Sequence, residues 1–145
     1  MSEQIKVERV LEYSDEVAAG IGKLMPYLNP EFSHEPVSEE RLKAIIESSD
    51  REQFVALLHG KIVGAATLNI IVGIAGEKAW LEDFVAPGAG YPIWQEMLEW
   101  CREKGVNKLG FTSSPTRKEA HSFYTRQGAK IYDTKVFYVD INLQE

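Results

Sequence analysis

Glu82 and Asp83 are neighbouring carboxylates inside an otherwise apolar run, Leu81-Glu82-Asp83-Phe84-Val85. A carboxylate whose pKa is raised by partial burial can take a proton near neutral pH; the plainer alternative is a surface or ion-paired side chain. Strict alternation along a strand would turn the two to opposite faces of a sheet. Tyr124 offers the complementary chemistry. Its phenol, with an ordinary pKa near 10, can give a proton to a leaving atom of comparable basicity. Tyr124 also falls on the apolar stripe Ala120, Phe123, Tyr124, Gln127, so a core tyrosine with a satisfied hydroxyl is the rival reading.

Other residues carry weaker signals. Gly88 and Gly90, in Val85-Ala86-Pro87-Gly88-Ala89-Gly90-Tyr91-Pro92, could let a backbone approach a phosphate or could simply make a tight turn. Ser113 and Ser114 stand before Pro115, where hydroxyls serve turns as readily as ligands. Arg117, Lys118 and Arg126 could attract an anion or be merely solvated. Cys101 has apolar helix neighbours and reads as a small core residue. His34, His59 and His121 have no metal-ligand spacing, so no metal is expected.

Periodicity predicts the strands and helices around these residues. Ile5 and Val7 alternate with charges, which predicts a strand. Ser14 with Asp15 and Glu16, then Ser38 with Glu39 and Glu40, predict helices near 14–28 and 38–48. Pro26 and Pro30 blur the end of the first. Phe54 to Leu58, His59-Gly60 and Ile62 to Ile71 predict a hairpin, and Trp80 to Val85 a further strand. Trp94, Met97, Leu98 and Cys101 predict a helix near 92–104 with Pro92 at its first position. A strand over 108–112, a helix near 117–127 opened by a capping box at Thr116-Arg117-Lys118-Glu119, and strands at 130–133 and 135–142 complete the chain. The expected sheet has six or seven strands.

Composition bounds the partners. The chain has 145 residues, a formal charge of −6 and one cysteine, enough length for a buried core without disulfide or structural metal. An acidic total argues against general nucleic-acid binding, while the basic balance of the last third leaves room for a small anionic ligand. The uncharged run from Ile62 to Gly76 is short and broken by glycines, so no membrane span is expected. The N-terminus shows no signal-peptide pattern, so a cytoplasmic protein is the expectation.

Taken in order, the stretch Phe54 to Thr67, Leu81 to Val85, Leu98 to Gly105, Phe111 to Ser114, and Ala120-His121-Ser122-Phe123-Tyr124 through Gly128-Ala129 resemble the GNAT family of acetyl-CoA-dependent N-acetyltransferases. The resemblance implies one α+β domain over residues 1–145, a central, mostly antiparallel twisted sheet flanked by about four helices. It implies that the fourth strand splays from the fifth and that pantetheine lies in the opening, bound by backbone groups at Phe84 and Val85. Phosphates would rest on the Gly88 and Gly90 turn and the helix after it, with Arg117 attracting them. Ser113 and Ser114 would lie near the pantetheine arm, Glu82 would be the general base, and Tyr124 would sit near the sulfur as proton donor. The acceptor would be a primary amine of a small molecule or peptide, attacked directly; a homodimer is common in the family.

One departure matters. The family's usual Arg/Gln-x-x-Gly-x-Gly/Ala loop is replaced by a shorter sequence, and no Lys or Arg occurs between Lys78 and Arg102. A second reading therefore stands beside the enzyme: a GNAT-fold ligand-binding or protein-interaction module that has lost efficient CoA binding.

Overall fold

Two serines start the N-terminal helices. Ser14 accepts a hydrogen bond from the N–H of Val17, and Ser38 accepts one from the N–H of Arg41. Each satisfies an amide that a helix leaves without an internal partner. The computed structural model describes residues 4–143. It places helix α1 at Asp15–Leu28, running through Pro26, and α2 at Glu39–Ile46. Strands β1 (Lys6–Arg9), β2 (Arg51–Leu58), β3 (Lys61–Gly73), β4 (Gly76–Val85) and β5 (Leu109–Gly110) form one sheet in the order β1-β2-β3-β4-β5. The first four are antiparallel neighbours, and β5 joins β4 in parallel after helix α3 (Gly90–Glu103).

The turn between β2 and β3 is His59-Gly60, both at positive φ (52° and 76°). That is the left-handed pair a two-residue hairpin needs to match strand twist. Alternation along β2 then assigns the faces. Val55 packs with Ala18, Ile21, Leu24, Leu42, Ala65 and Val85 under α1 and α2. Phe54 points the other way and meets Trp100 of α3 edge to face, with ring centroids 6.4 Å apart. Trp100, Met97 and Ile93 are all but inaccessible, and burying one such side chain stabilises the fold by roughly 1.5–3 kcal/mol. Arg9 ties β1 to α3 from the rim: its guanidinium donates to both Glu103 oxygens (2.8 and 2.7 Å) and to Glu96 Oε1 (3.0 Å).

Residues from Thr112 onward form a second compact unit. It contains α4 (Lys118–Arg126) and ends, within the described residues, in a short 3-10 turn at Ile141–Leu143.

Several expectations need correction. No strand forms at 130–133 or 135–142, so the sheet has five strands among the described residues rather than six or seven. The apolar pattern is present there, but a strand needs a ladder partner, and Phe137 and Tyr138 are 85% and 90% exposed. The strand expected at 108–112 shrinks to Leu109–Gly110, whereas the β3–β4 hairpin extends to Gly73 and Gly76, absorbing most of the expected connection. Helix α3 begins two residues earlier than expected, so Pro92 is its third residue. The capping box at Thr116 does not form: Arg117 is the N-cap, without a side-chain cap, and Thr116 Oγ1 pairs with Ser114 Oγ at 2.9 Å.

Candidate active site

Strand β4 carries the first part of the site. Its ladder to β5 consists of Ala79↔Leu109 and Trp80↔Gly110 and stops there. The rest of β4, Leu81–Val85, lies past the end of that ladder. Backbone groups at the end of a ladder can complete their hydrogen bonds with a ligand.

A β-bulge reshapes this stretch. Ala65 faces Val85 and Thr67 faces Glu82, so β4 has one residue more than β3 between those pairs. Asp83 takes the irregular conformation, with φ at 51°, a left-handed backbone that Asp tolerates better than most residues. The extra residue breaks the alternation expected from the sequence. Phe84 consequently stacks on Trp94 of α3 (6.4 Å between centroids), while Val85 joins the core under α1. Asp83 is exposed at its surface, yet protein around it withholds solvent; that desolvation, followed by the charge of Glu82, raises its carboxyl above the usual aspartate range.

Glu82 is exposed and held from its own strand. Trp80, two residues back and therefore on the same face, donates its indole Nε1–H to Glu82 Oε1 at 2.8 Å. The indole in turn lies against Gly110, where a Cβ would stand 2.8 Å from Trp80 Cζ3. Lys78 sits 5.5 Å above the same ring.

The turn after β4 leads into α3. Gly88 has φ +73°, and the N–H of Ala89 donates to the Ala86 carbonyl at 2.9 Å. Helix α3 therefore starts at Gly90 with Ala89 as an N-cap that lacks a side-chain acceptor. Helix geometry leaves the N–H groups of Gly90 and Tyr91 without intrahelical acceptors, and Pro92 has none to offer. Two donors at a positive helix end can hold one phosphate, but without the basic residue the family's usual loop brings. Gly64 keeps this corner tight: a Cβ there would stand 2.9 Å from Ala86 Cβ and 3.0 Å from Ile93 Cδ1.

The remaining candidates belong to the second unit. Ser113 Oγ and His121 Nε2 are 3.1 Å apart, and Ser114 is occupied by the turn to Thr116. Tyr124 is buried, with 8% of its surface exposed. Desolvation raises its phenol above the usual tyrosine range, and the positive charge of Arg117 opposes that rise. Cys101 is buried, and burial pushes its thiol up, as expected of a core residue. Among the described residues no group of three or more His, Cys, Asp or Glu side chains could hold a metal.

Sequence reasoning missed Trp80, Gly110, His121 and the bulge at Asp83. The spacing of Trp80 and Glu82 carried a usable signal, since residues two apart on a strand share a face.

A mixed sheet of four antiparallel strands whose fourth pairs only briefly, and in parallel, with the fifth defines an acyltransferase-type scaffold. The chain belongs to the acetyltransferase (GNAT) family, whose model matches residues 21–129. Solved structures with the same fold include an aminoglycoside acetyltransferase, meta-AAC0020, from an uncultured soil metagenomic sample: 21% identity, 93% of this chain and 95% of that one covered, TM-score 0.78. The aminoglycoside N-acetyltransferase AAC(6')-Iy in complex with CoA is similar at 16% identity, 97% of each chain and TM-score 0.75. Glucosamine-6-phosphate N-acetyltransferase from Arabidopsis thaliana is similar at 19% identity, 94% and 99% coverage and TM-score 0.73. No curated protein matches the sequence significantly.

Proposed function

We propose that this protein moves an acetyl group from acetyl-CoA to a primary amine of a small molecule or peptide by direct attack. The observation that carries the proposal is the early end of the β4–β5 ladder at Trp80↔Gly110, just before Leu81–Val85, because a pantetheine arm is bound by backbone amides at the place where two such strands part. Acetyl-CoA would supply an acyl group activated as a thioester. Backbone groups at Phe84 and Val85 hold the arm, and the Gly88 to Tyr91 turn, with Gly90 at the helix start, receives a phosphate. Ser113 and Ser114 flank the arm. Glu82, steadied by Trp80, takes the proton of the acceptor ammonium, and Tyr124 returns a proton to the departing sulfur. The protein works in the cytoplasm in this reading.

The test is incubation with acetyl-CoA and a panel of primary amines, with thiol release and product mass as readouts. Amine-bearing sugars head the panel, since the structural relatives are named for aminoglycosides and glucosamine-6-phosphate. Acetylated amine in proportion to released CoA supports the proposal. Binding of CoA without transfer across the panel, or no binding, favours the second reading, a non-catalytic module. Its specific support is the turn before α3, which has no cation between Lys78 and Arg102.

A further inference from the structure

A polar row crosses three strands on one face of the sheet. The register sets Gln53 of β2 opposite Thr67 of β3, and Thr67 opposite Glu82 of β4; residues directly opposite in a ladder share a face. The next row on the same face is apolar, Val55, Ala65 and Val85, and packs under α1 and α2. Gln53 and Thr67 are buried, at 3% and 7% exposure, whereas Glu82 at the end of the row is exposed.

The hydrogen bonds within the row have a single consistent direction. Gln53 Nε2 lies 3.2 Å from the Phe54 carbonyl oxygen and 3.1 Å from that of Ala66. Carbonyls only accept, so the amide end facing both of them is the NH2 group. The other end, Oε1, therefore faces Thr67 Oγ1 at 2.7 Å. An amide oxygen cannot donate, so the Thr67 hydroxyl gives its one proton to Gln53 and has only lone pairs to offer the rest of the face. Glu82, as a carboxylate, also only accepts, and the Trp80 indole occupies its Oε1. The Cβ atoms of such an opposed pair stand about 4.5–5.5 Å apart. Two acceptors so placed are bridged only by a group with at least two protons to give.

We infer that Thr67 is an amine-binding residue: the acceptor nitrogen seats between Thr67 Oγ1 and the Glu82 carboxylate, and Gln53 is the positioning residue that keeps Thr67 an acceptor. The inference rests on the reading of Glu82 as the base proposed above. A primary ammonium has three N–H groups and can donate to both oxygens, whereas a hydroxyl has one proton and satisfies only one. Of the three ammonium protons, one passes to Glu82. A second is released as the nitrogen pair forms the bond to the acetyl carbon, and it balances the proton taken up by the sulfur, which leaves with the carbon–sulfur pair. The third, held by Thr67, remains as the N–H of the product amide.

Two measurements test this. In the first, backbone amide shifts are followed by NMR as the protein is titrated with methylammonium chloride and, separately, with tetramethylammonium chloride, which has the charge but no N–H. Methylammonium should move the amides of Thr67 and Glu82, and tetramethylammonium should not. Thr67→Val should weaken methylammonium about tenfold, and Thr67→Ser, which keeps a hydroxyl, should restore it. An equal response to both salts, a response to neither, or unchanged affinity in Thr67→Val overturns the inference. Should Thr67→Val fail to fold, Gln53→Met decides: it frees the Thr67 proton to turn toward Glu82 and should weaken methylammonium likewise, and unchanged affinity there overturns the inference too.

The second measurement uses an amine found to be acetylated. Thr67→Val should raise KM for that amine about tenfold and leave KM for acetyl-CoA in place, with Thr67→Ser close to the parent. Equal losses against both substrates would make Thr67 a structural residue and overturn the inference. Methylammonium bound as expected, with no amine acetylated, would remove the transferase reading and retain the amine site.

Discussion

The indole of Trp80 donates to Glu82 at 2.8 Å while its ring fills the place where Gly110 has no Cβ. One side chain thus closes the β4–β5 pairing and fixes the carboxylate just beyond it. Gly110→Ala would force the ring aside, since its Cβ would stand 2.8 Å from Cζ3. Overpacking of this kind costs about 1–3 kcal/mol. Denaturant unfolding should show the loss, and an unchanged midpoint would mean that the ring moves without resistance.

Trp80→Phe keeps an aromatic ring over Gly110 and removes the donor to Glu82. Losing one hydrogen bond to a charged group weakens its placement by about 1.5–3 kcal/mol, equivalent to roughly 10- to 100-fold if Glu82 is the base. Steady-state kinetics should show kcat falling with KM for acetyl-CoA unchanged. Full activity in this variant would move the base away from Glu82, with Asp83 on the bulge next in line.

Tyr124→Phe keeps the buried ring and removes the proton. Turnover should fall about 10²-fold or more while CoA affinity and the melting temperature stay close to the parent values. A large loss of stability would instead show a hydroxyl that serves the fold.

The clamp between Arg9 and Glu103 makes stability depend on acid. Hydrogen bonding from Arg9, followed by its charge, holds the Glu103 carboxyl below the usual glutamate range. A folded-state pKa below the unfolded one adds stability that is complete above about pH 4.3. That stability is lost as the pH falls through the depressed folded value. Arg9 stays protonated throughout and adds no slope of its own. Comparison of Glu103→Gln with the parent by urea unfolding should show a difference at pH 7 that closes below pH 4; a difference independent of pH would assign the effect to packing.

Most of the fold was legible, and the reasons are local. Ser14 and Ser38 announce helices through their own hydrogen bonds, and His59-Gly60 announces a hairpin because few other pairs accept two positive φ angles. The site was legible only as residue types. Glu82 and Tyr124 stood out, but the bulge at Asp83 depends on the register between β3 and β4, which alternation within one strand cannot reveal. The strands expected at the C-terminus failed for a related reason. Val136, Phe137, Tyr138 and Val139 have β propensity, yet a strand exists only where a partner edge receives it. Thr116 read as a helix cap because of its spacing to Glu119, whereas its hydroxyl pairs with Ser114 Oγ and the N-cap falls one residue later, at Arg117.

Backbone hydrogen exchange with and without CoA is the decisive measurement, because the proposal is that β4 beyond Trp80 and the turn after it hold this ligand. With CoA well above its dissociation constant, amides within Leu81–Val85 and those of Gly90 and Tyr91 should exchange about tenfold or more slowly, while the β1–β2 pairing changes less. Unchanged exchange across residues 81–91 at saturating CoA would contradict the account.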